Sequence, residues 1–330
     1  MKILLTGATG FVGSAVMRHL ATEYSDIRVL IRDTSNRQHL NKYDLDIRSG
    51  DLRDIRSLEA AVDECDVVIH TAADYRIWTP NPNDMMDSNV LGTKNIMTAA
   101  MKAGVKRIIY TSSVAALGTT NDQTAANERT PSTLDEKIGP YKKSKFLAEA
   151  EVLKMNQEQG LPVIIVNPSA PMGPGDIKPT PTGQLVIQAA RGKIPIYVES
   201  GLNVVHVDDV AKGHLLALRH GKEGEKYILG GENLSFLEIL TSISELSGRR
   251  PPRIKLPHKL ILPIAYVTEY FAKLFPGKEP FLNVDGVRMS MKSMYYSSQK
   301  AIDELGYRPR SAKAAFNDSI NWFKTFGYID

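Results

Sequence analysis

Five short, nearly continuous apolar runs recur along the first half of the chain: Lys2–Thr6 (KILLT), Ile27–Arg32 (IRVLIR), Asp66–His70 (DVVIH), Arg107–Thr111 (RIIYT) and Pro162–Asn167 (PVIIVN). Runs of this length, without an exposed polar alternation, predict strands buried on both faces. A weaker run, Asp46–Gly50 (DIRSG), predicts a sixth strand. Between the runs, helix-like stretches cover about 12–23, 54–63, 84–103 and 141–159. Strands alternating with helices predict the α/β class: a doubly wound parallel sheet covered by helices, with ligands at the carboxyl ends of its strands.

After Asn167 the pattern changes. Ser169–Thr182 gathers Pro171, Pro174, Pro179 and Pro181 with Gly173 and Gly175, directly after Pro168, and reads as loop rather than sheet. Val204–Arg219 and Lys226–Leu229 read as returns toward the sheet, followed by a helix at Ser235–Ser247. Leu256–Phe275 mixes apolar residues with Lys259, Glu269 and Lys273. It is expected to be a packed helix, with a lid or an interfacial helix serving a lipid substrate as the alternatives.

The 330 residues are 42% hydrophobic and 24% charged, which excludes a disordered chain, a collagen-like fibre and a supercharged tail. Leu260–Val267, interrupted by Pro263, is far shorter than the ~20 apolar residues that span a bilayer. Met1 leads at once into a strand with no basic-then-apolar leader, and the single Cys65 permits neither an internal disulfide nor a cysteine zinc site. A soluble, cytoplasmic protein is expected. The net charge of +4 is uneven, since Pro251–Asp330 holds 12 Lys/Arg against 7 Asp/Glu. That basic surplus suits an anionic substrate or peripheral contact with a membrane surface, or is simply a solvated face. No basic run interleaved with aromatics points to nucleic acid.

Gly7-Ala8-Thr9-Gly10-Phe11-Val12-Gly13 follows the first strand and opens the first helix. Glycines at such a turn let the backbone approach a pyrophosphate, whose charge the free N–H groups of the helix stabilise. Gly7, Thr9, Gly10, Phe11 and Val12 are therefore the expected dinucleotide loop, and the fold the expected Rossmann type. At the end of the second strand stand Arg32 and Asp33. An acid there would bind the ribose hydroxyls of NAD, and counting from Gly13 favours Asp33. The apolar run ends at Ile31, however, which puts Arg32 first at the tip, where it would pair with a 2′-phosphate, assisted by Arg37. NADP(H) is the expected cofactor, with NAD the alternative.

Tyr110-Thr111-Ser112-Ser113 ends the fifth strand, and Tyr141 and Lys145 follow four residues apart on a helix, hence on one face. An ammonium beside a phenol favours the phenolate, so the Tyr can exchange a hydroxyl proton while hydride moves to or from nicotinamide. A serine hydroxyl would anchor the carbonyl oxygen. The spacing recurs at Tyr296 and Lys300, away from the serine-bearing strand, and that copy is assigned to structure. His206-x-Asp208-Asp209 is read as a helix start with an Asp cap rather than as metal ligands, and His214 and His220 as surface residues. Tyr75 and Trp78 could stack on a substrate ring or simply pack.

Together these segments resemble an extended short-chain dehydrogenase/reductase of the epimerase/dehydratase type, with Gly50-Asp51-Leu52, His70-Thr71-Ala72-Ala73, Asn89-Val90-Leu91-Gly92-Thr93 and Val205-His206-Val207-Asp208-Asp209 as further matches. More narrowly, Ala72 to Trp78, Asn167 to Gly183 and Tyr227 to Asn233 are similar to hopanoid-associated sugar epimerases, also described as dihydroflavonol-4-reductase-like. The resemblance implies Ser113 rather than Ser112 as the catalytic serine, with Tyr141 and Lys145. It implies Asp51 and Leu52 at the adenine, Ala72 and Ala73 at the ribose and pyrophosphate, and Pro168 and Ser169 at the nicotinamide. Lys145 would also bond the nicotinamide ribose, and Asn89 would support the site. In sugar-nucleotide epimerases the position of Arg32 is commonly acidic, a departure that sides with NADP.

The expected organisation is a dinucleotide-binding domain over 1–169, with 204–229 returning to it, and a substrate lobe over 170–203 and 230–330. The expected activity is hydride transfer at a hydroxyl/ketone carbon of a small-molecule substrate, by a reductase or a sugar or sugar-nucleotide epimerase. A non-catalytic NADP-binding regulator is the alternative, which the joint presence of Ser113, Tyr141 and Lys145 disfavours. The family implies a homodimer through helices 84–103 and 141–159.

Overall fold

In the computed structural model, which describes residues 1–79, 81–120, 122, 124–274, 280 and 282–329, every apolar run of the N-terminal half is a strand of one sheet. The chain runs β1 (Ile3–Thr6), α1 (Phe11–Leu20), β2 (Ile27–Ile31), β3 (Asp46–Ser49), α2 (Ile55–Val62) and β4 (Val67–His70). A helical stretch follows in three parts: α3 (Pro82–Met86), a π-helical turn at Asp87–Leu91 and α4 (Gly92–Lys102). Then come β5 (Arg107–Thr111), a 3-10 turn at Val114–Ala116, α5 (Gly139–Gln159) and β6 (Val163–Pro168). The rest is β7 (Ala170–Met172), α6 (Pro181–Ala190), β8 (Ile196–Tyr197), β9 (Gly201–His206), α7 (Val207–His220), β10 (Lys226–Leu229), β11 (Glu232–Ser235) and α8 (Phe236–Leu246). It closes with β12 (Ile254–Lys255), α9 (His258–Leu274), α10 (Val284–Met289), α11 (Gln299–Leu305) and α12 (Ala312–Thr325).

The large sheet has the order β10-β6-β5-β4-β1-β2-β3 and every pairing in it is parallel. Alternate side chains serve its two faces. Ile3 and Leu5 of β1 join Ala15, Val16 and Leu20 of α1 and Val210 and Leu215 of α7, whereas Leu4 joins Leu58, Ile96, Met97 and Val152 on the other side. Strand order reverses between β1 and β4, which opens a crevice at their carboxyl ends.

The Pro/Gly-rich stretch is not all loop. Ala170–Met172 forms β7, paired in parallel with β9, and Pro181 begins α6 behind the Thr180 cap. Both prolines occupy places where a missing N–H costs nothing: Pro171 on an edge strand, Pro181 in the first helical turn. The segment from residue 204 divides. β9 lies in a separate sheet of order β11-β9-β7, while α7 covers α1 and β10 extends the large sheet beside β6. Asn203 fixes that division, donating to the carbonyls of Gly231 and Tyr296 and to Asn233 Oδ1. Around β9, α6, α8 and α12 build a further core with Phe316 and Phe323.

The expected helix at 256–275 is α9, which packs Ile261 and Ala265 on Val284 and Val287 around α10. Phe275 and the Lys273 side chain lie outside the described residues. Among the described residues no helix is long and apolar enough to cross a membrane.

Candidate active site

The glycine loop is closely fitted to its neighbours. Gly7 has φ +77°, and a Cβ there would lie 2.6 Å from the Ala72 nitrogen. A Cβ on Gly13 would strike the Gly7 carbonyl, so glycine at this position sets how closely α1 approaches the loop. Gly10 caps α1 without a side-chain bond, and the first turn holds no acid. The helix therefore presents unopposed N–H groups beside half-buried Thr9 and Val12, an environment suited to a pyrophosphate. Phe11 is buried, and its carbonyl accepts from Ser14 Oγ at 2.9 Å.

At the tip of β2 the two rival residues separate. Asp33 accepts from Ser49 Oγ at 2.6 Å, which spends it on the end of β3. Arg32 is exposed and, among the described residues, its guanidinium makes no ion pair or hydrogen bond. Its charge nonetheless reaches inward, since it contributes to holding Asp51 and Asp74 below the ordinary carboxylate range. Arg37 is exposed as well. Asp51 is gripped by Arg53 through two bonds of 2.8 Å, which is the main reason its carboxyl is drawn down to about 2. Leu52 packs against Gly92 of α4, and its carbonyl accepts from Asn95 at 3.0 Å.

Ala72 and Ala73 leave β4 half-buried, Ala72 directly beside Gly7. Asn89, at the centre of the π turn, is buried and fully engaged with protein. Its Oδ1 accepts from Asp74 N at 2.7 Å, and its Nδ2 donates to Asp74 O at 2.7 Å and to Ser144 Oγ at 2.9 Å. It thus ties the exit of β4 to the start of α5 and acts on the site through backbone placement.

The next layer distinguishes the two serines. Ser112 donates at 2.5 Å to buried Glu149, which also accepts from Asn167 Nδ2 at 2.7 Å and pairs with Lys226 at 3.3 Å. Ser113 has a different environment: its Oγ caps the 3-10 turn, accepting from Ala115 N at 3.1 Å, and its hydroxyl favours the ionised form of the Tyr141 phenol. Lys145 is buried, donates at 2.8 Å to the Thr111 carbonyl and lies 5.0 Å from the Tyr110 ring centre. Burial draws its ammonium down to about 8, although the Glu149 charge works the other way. Burial also pushes the Tyr141 phenol up, with Ser113 drawing it part of the way back. The phenol is thus raised rather than lowered: desolvation dominates, Ser113 offsets part of it, and the expected help from Lys145 is not among the contributions. Pro168 is buried at the end of β6, and the buried Ser169 Oγ beside it has no hydrogen-bond partner among the described residues. The tight glycine turn, the uncapped α1 terminus and the orphaned Ser169 hydroxyl together fit a bound dinucleotide.

Two placements differ from expectation, those of His214 and of the cap of α7. His214 is fully buried, bonded to Thr111 Oγ1 and the Val210 carbonyl at 2.8 Å each, because it lies on the face of α7 that covers the sheet. The cap of α7 is His206 itself, whose Nδ1 accepts from Asp208 N at 3.0 Å; Asp208 instead pairs with Arg18 and Asp209 with Arg310. Among the described residues no cluster of three or more potential metal-binding side chains occurs. Tyr296 is buried and donates to the Val114 carbonyl at 3.2 Å, while Lys300 pairs with Glu225. Glu149 was legible in principle: it follows Tyr141 and Lys145 at the same four-residue step, an acid continuing the buried stripe of α5.

Comparison with known proteins adds to this geometry. A family model described as the NAD dependent epimerase/dehydratase family matches residues 3–230. A Synechocystis sp. protein provisionally named a dihydroflavonol 4-reductase is 43% identical, over 98% of this chain and 95% of its own length. Sterol demethylase protein B of Methylococcus capsulatus is 34% identical over the full length of both chains. The crystal structure of gox2253 superposes with a TM-score of 0.90 at 50% identity, covering 100% of this chain and 99% of that one. The crystal structure of PA4631, a nucleoside-diphosphate-sugar epimerase from Pseudomonas aeruginosa, superposes with a TM-score of 0.82 at 25% identity over 100% and 99% of the two chains.

Proposed function

Because the chain belongs to the NAD dependent epimerase/dehydratase family, we propose that this oxidoreductase of the extended short-chain type transfers hydride between NADP(H) and a carbon bearing a hydroxyl or ketone, as a reductase. The observation that carries the reading is the convergence of Ser113, Tyr141 and Lys145 at the carboxyl ends of β5 and β6, with Ser112 withdrawn onto Glu149.

A bound nicotinamide dinucleotide would supply or accept the hydride. In the reductive direction the Ser113 hydroxyl donates to the substrate carbonyl oxygen, favouring the negative charge that grows on it. Tyr141, protonated at neutral pH as any phenol is and held more firmly so by burial, delivers its O–H proton to that oxygen as the carbon is reduced. Lys145, fixed by the Thr111 carbonyl, supplies the positive charge that eases loss of that proton. In oxidation the same proton returns to Tyr141. Glu149 and Asn167, which donates to the Ser113 carbonyl at 3.0 Å, hold the serine-bearing turn in register.

Arg32 supports NADP(H): it is an exposed cation at the tip of β2 whose guanidinium has no partner among the described residues, and Asp33 is already committed to Ser49. The relatives named for dihydroflavonol and for sterols support a polycyclic alcohol or ketone as substrate. An epimerase of a sugar or sugar nucleotide is the second reading, favoured by PA4631 and by the narrower, hopanoid-associated resemblance. Release of nucleotide from freshly purified, denatured protein, identified by mass spectrometry, tests the choice. Protein that emerges empty and binds NADPH in preference to NADH supports the reductase. Nucleotide retained near one per chain overturns it in favour of an internal redox cycle. A regulator without catalysis would show no NADPH turnover with any ketone and no effect of Tyr141→Phe.

A further inference from the structure

α9 buries only one side. Ile261, Ala265 and Ala272 face inward, with Leu262 and Thr268 half-buried beside them. At about 100° per residue, the opposite arc carries Leu260, Ile264, Tyr266, Val267, Tyr270, Phe271 and Leu274, each 50–62% exposed. By sequence position the arc holds no acid and a single base, Lys259 at its amino-terminal end, with Lys273 at its edge. Seven neighbouring large apolar side chains, each at least half exposed, form a continuous apolar face of the kind that marks binding surfaces.

The charges around the stripe indicate its partner. Exposed Arg253 and Lys259 stand at its amino end, and the Arg288 guanidinium of α10 reaches the Tyr266 hydroxyl at 2.8 Å along its flank. From Arg249 to Lys292 the sequence holds nine Lys/Arg against three Asp/Glu. Of those acids Glu269 is half-buried and caps the Val284 N–H at 3.1 Å, and Asp285 is half-buried against Gly139. Tyr266 and Tyr270 put phenol tips within an apolar face, as side chains at a lipid headgroup level do. A second copy of the chain is a poorer fit, because a two-fold contact through this face would bring two basic rims together.

The inner side of α9 is linked to the site through α10. α9 packs on α10, and Met289 of α10 lines, with Lys292 and Met294, a cavity of about 130 Å³ that also takes in Ala115 and Lys142. Ala115 is two residues from Ser113, and Lys142 is next to Tyr141.

We propose that α9 lies flat on an anionic phospholipid surface, its apolar arc among the acyl chains and its basic flanks on the headgroups, so that the enzyme meets an amphiphilic alcohol or ketone carried by the membrane. The substrate clause rests on the hydride-transfer reading; the docking does not. With 17 residues α9 lies in the interface rather than spanning it.

Flotation of the full chain with phosphatidylcholine vesicles, with and without about 30% phosphatidylglycerol, tests the docking. The protein floats with the anionic vesicles, less with the neutral ones, and less again in ~0.5 M salt. Ile264→Glu with Phe271→Glu, both at exposed positions, cuts flotation by about tenfold or more and leaves NADPH affinity unchanged. Protein that stays at the bottom of every gradient overturns the proposal, as does a variant that floats like the parent. A dimer by light scattering that the variant converts to monomer, without flotation of either, overturns it in favour of self-association. Flotation without NADPH turnover on any ketone leaves the docking standing and removes the hydride reading.

Discussion

Tyr141 carries the proton for the proposed reaction, and burial raises its phenol further above neutral pH. Tyr141→Phe removes it while leaving the ring, so turnover with NADPH is expected to fall by about 10²–10⁴, with NADPH binding by fluorescence titration unchanged. Arg32→Asp replaces the cation expected at the 2′-phosphate with a charge that repels it, and should lower affinity for NADPH by about tenfold or more while NADH is retained or improved. Equal effects on both cofactors would remove Arg32 from recognition. The buried histidines give a pH signature of their own. Burial holds His70 at about 3 and His214 at about 4, against 6.5 for a free imidazole. The unfolded chain takes up these protons near 6.5, so the stability they contribute is complete above that pH and declines as pH falls toward the folded values. Each should cost about 2 kcal/mol between pH 6.5 and 5. Urea midpoints at pH 7 and pH 5 check this, with a smaller difference expected in His214→Gln.

At the scale of elements, the glycine turn and the π turn do the positioning. Gly13→Ala would push α1 away from the Gly7 carbonyl, and should abolish dinucleotide binding measured by titration while the far-ultraviolet spectrum persists. Asn89→Ala strips the Asp74 backbone and Ser144 of buried partners at once, and should lower stability by about 2–3 kcal/mol and slow turnover without moving the cofactor preference. The strands of the large sheet were legible because burial on both faces leaves a run of consecutive apolar residues that few other environments produce. Ser113 was distinguished from Ser112 only by family resemblance, since adjacent hydroxyls differ in nothing but direction; the structure separates them through Glu149. β8 and β12 were not legible: two residues each, they exist by pairing Ile196 with Ile254, a partner far along the chain. The π turn at Asp87–Leu91 also escaped notice, because one residue of slippage in a helix leaves the apolar period almost intact. His214 was misplaced because an imidazole on a helix reads as polar until both ring nitrogens are seen to be bonded.

At the scale of the molecule, the basic residue Arg310 joins pieces that lie far apart in sequence. It reaches buried Asp209 of α7 at 2.9 Å and His206 at 3.1 Å, just ahead of α12, while Asp208 beside them pairs with Arg18 of α1. His206 in turn meets Asp318 of α12 at 3.2 Å. The helix that covers the large sheet and the helix that closes the smaller core are thus held by one charge cluster. Removing Arg310 leaves Asp209 buried with no cation beside it, a change that ordinarily costs several kcal/mol. Arg310 is itself 38% exposed, so water offsets part of the loss and about 2–3 kcal/mol is expected. The two tryptophans report on the two regions separately. Trp78 lies half-buried between β4 and α3, and Trp322 of α12 stacks on Phe326 with ring centres 4.6 Å apart. In Trp78→Phe and Trp322→Phe proteins, urea unfolding followed by the remaining indole should give coincident midpoints, because the cluster couples the two cores. Adding Arg310→Ala to each should lower the midpoint seen by Trp322 more than that seen by Trp78. Midpoints that fall together would mean that β7 and β9 alone carry the coupling, with the charge cluster adding stability but no cooperation.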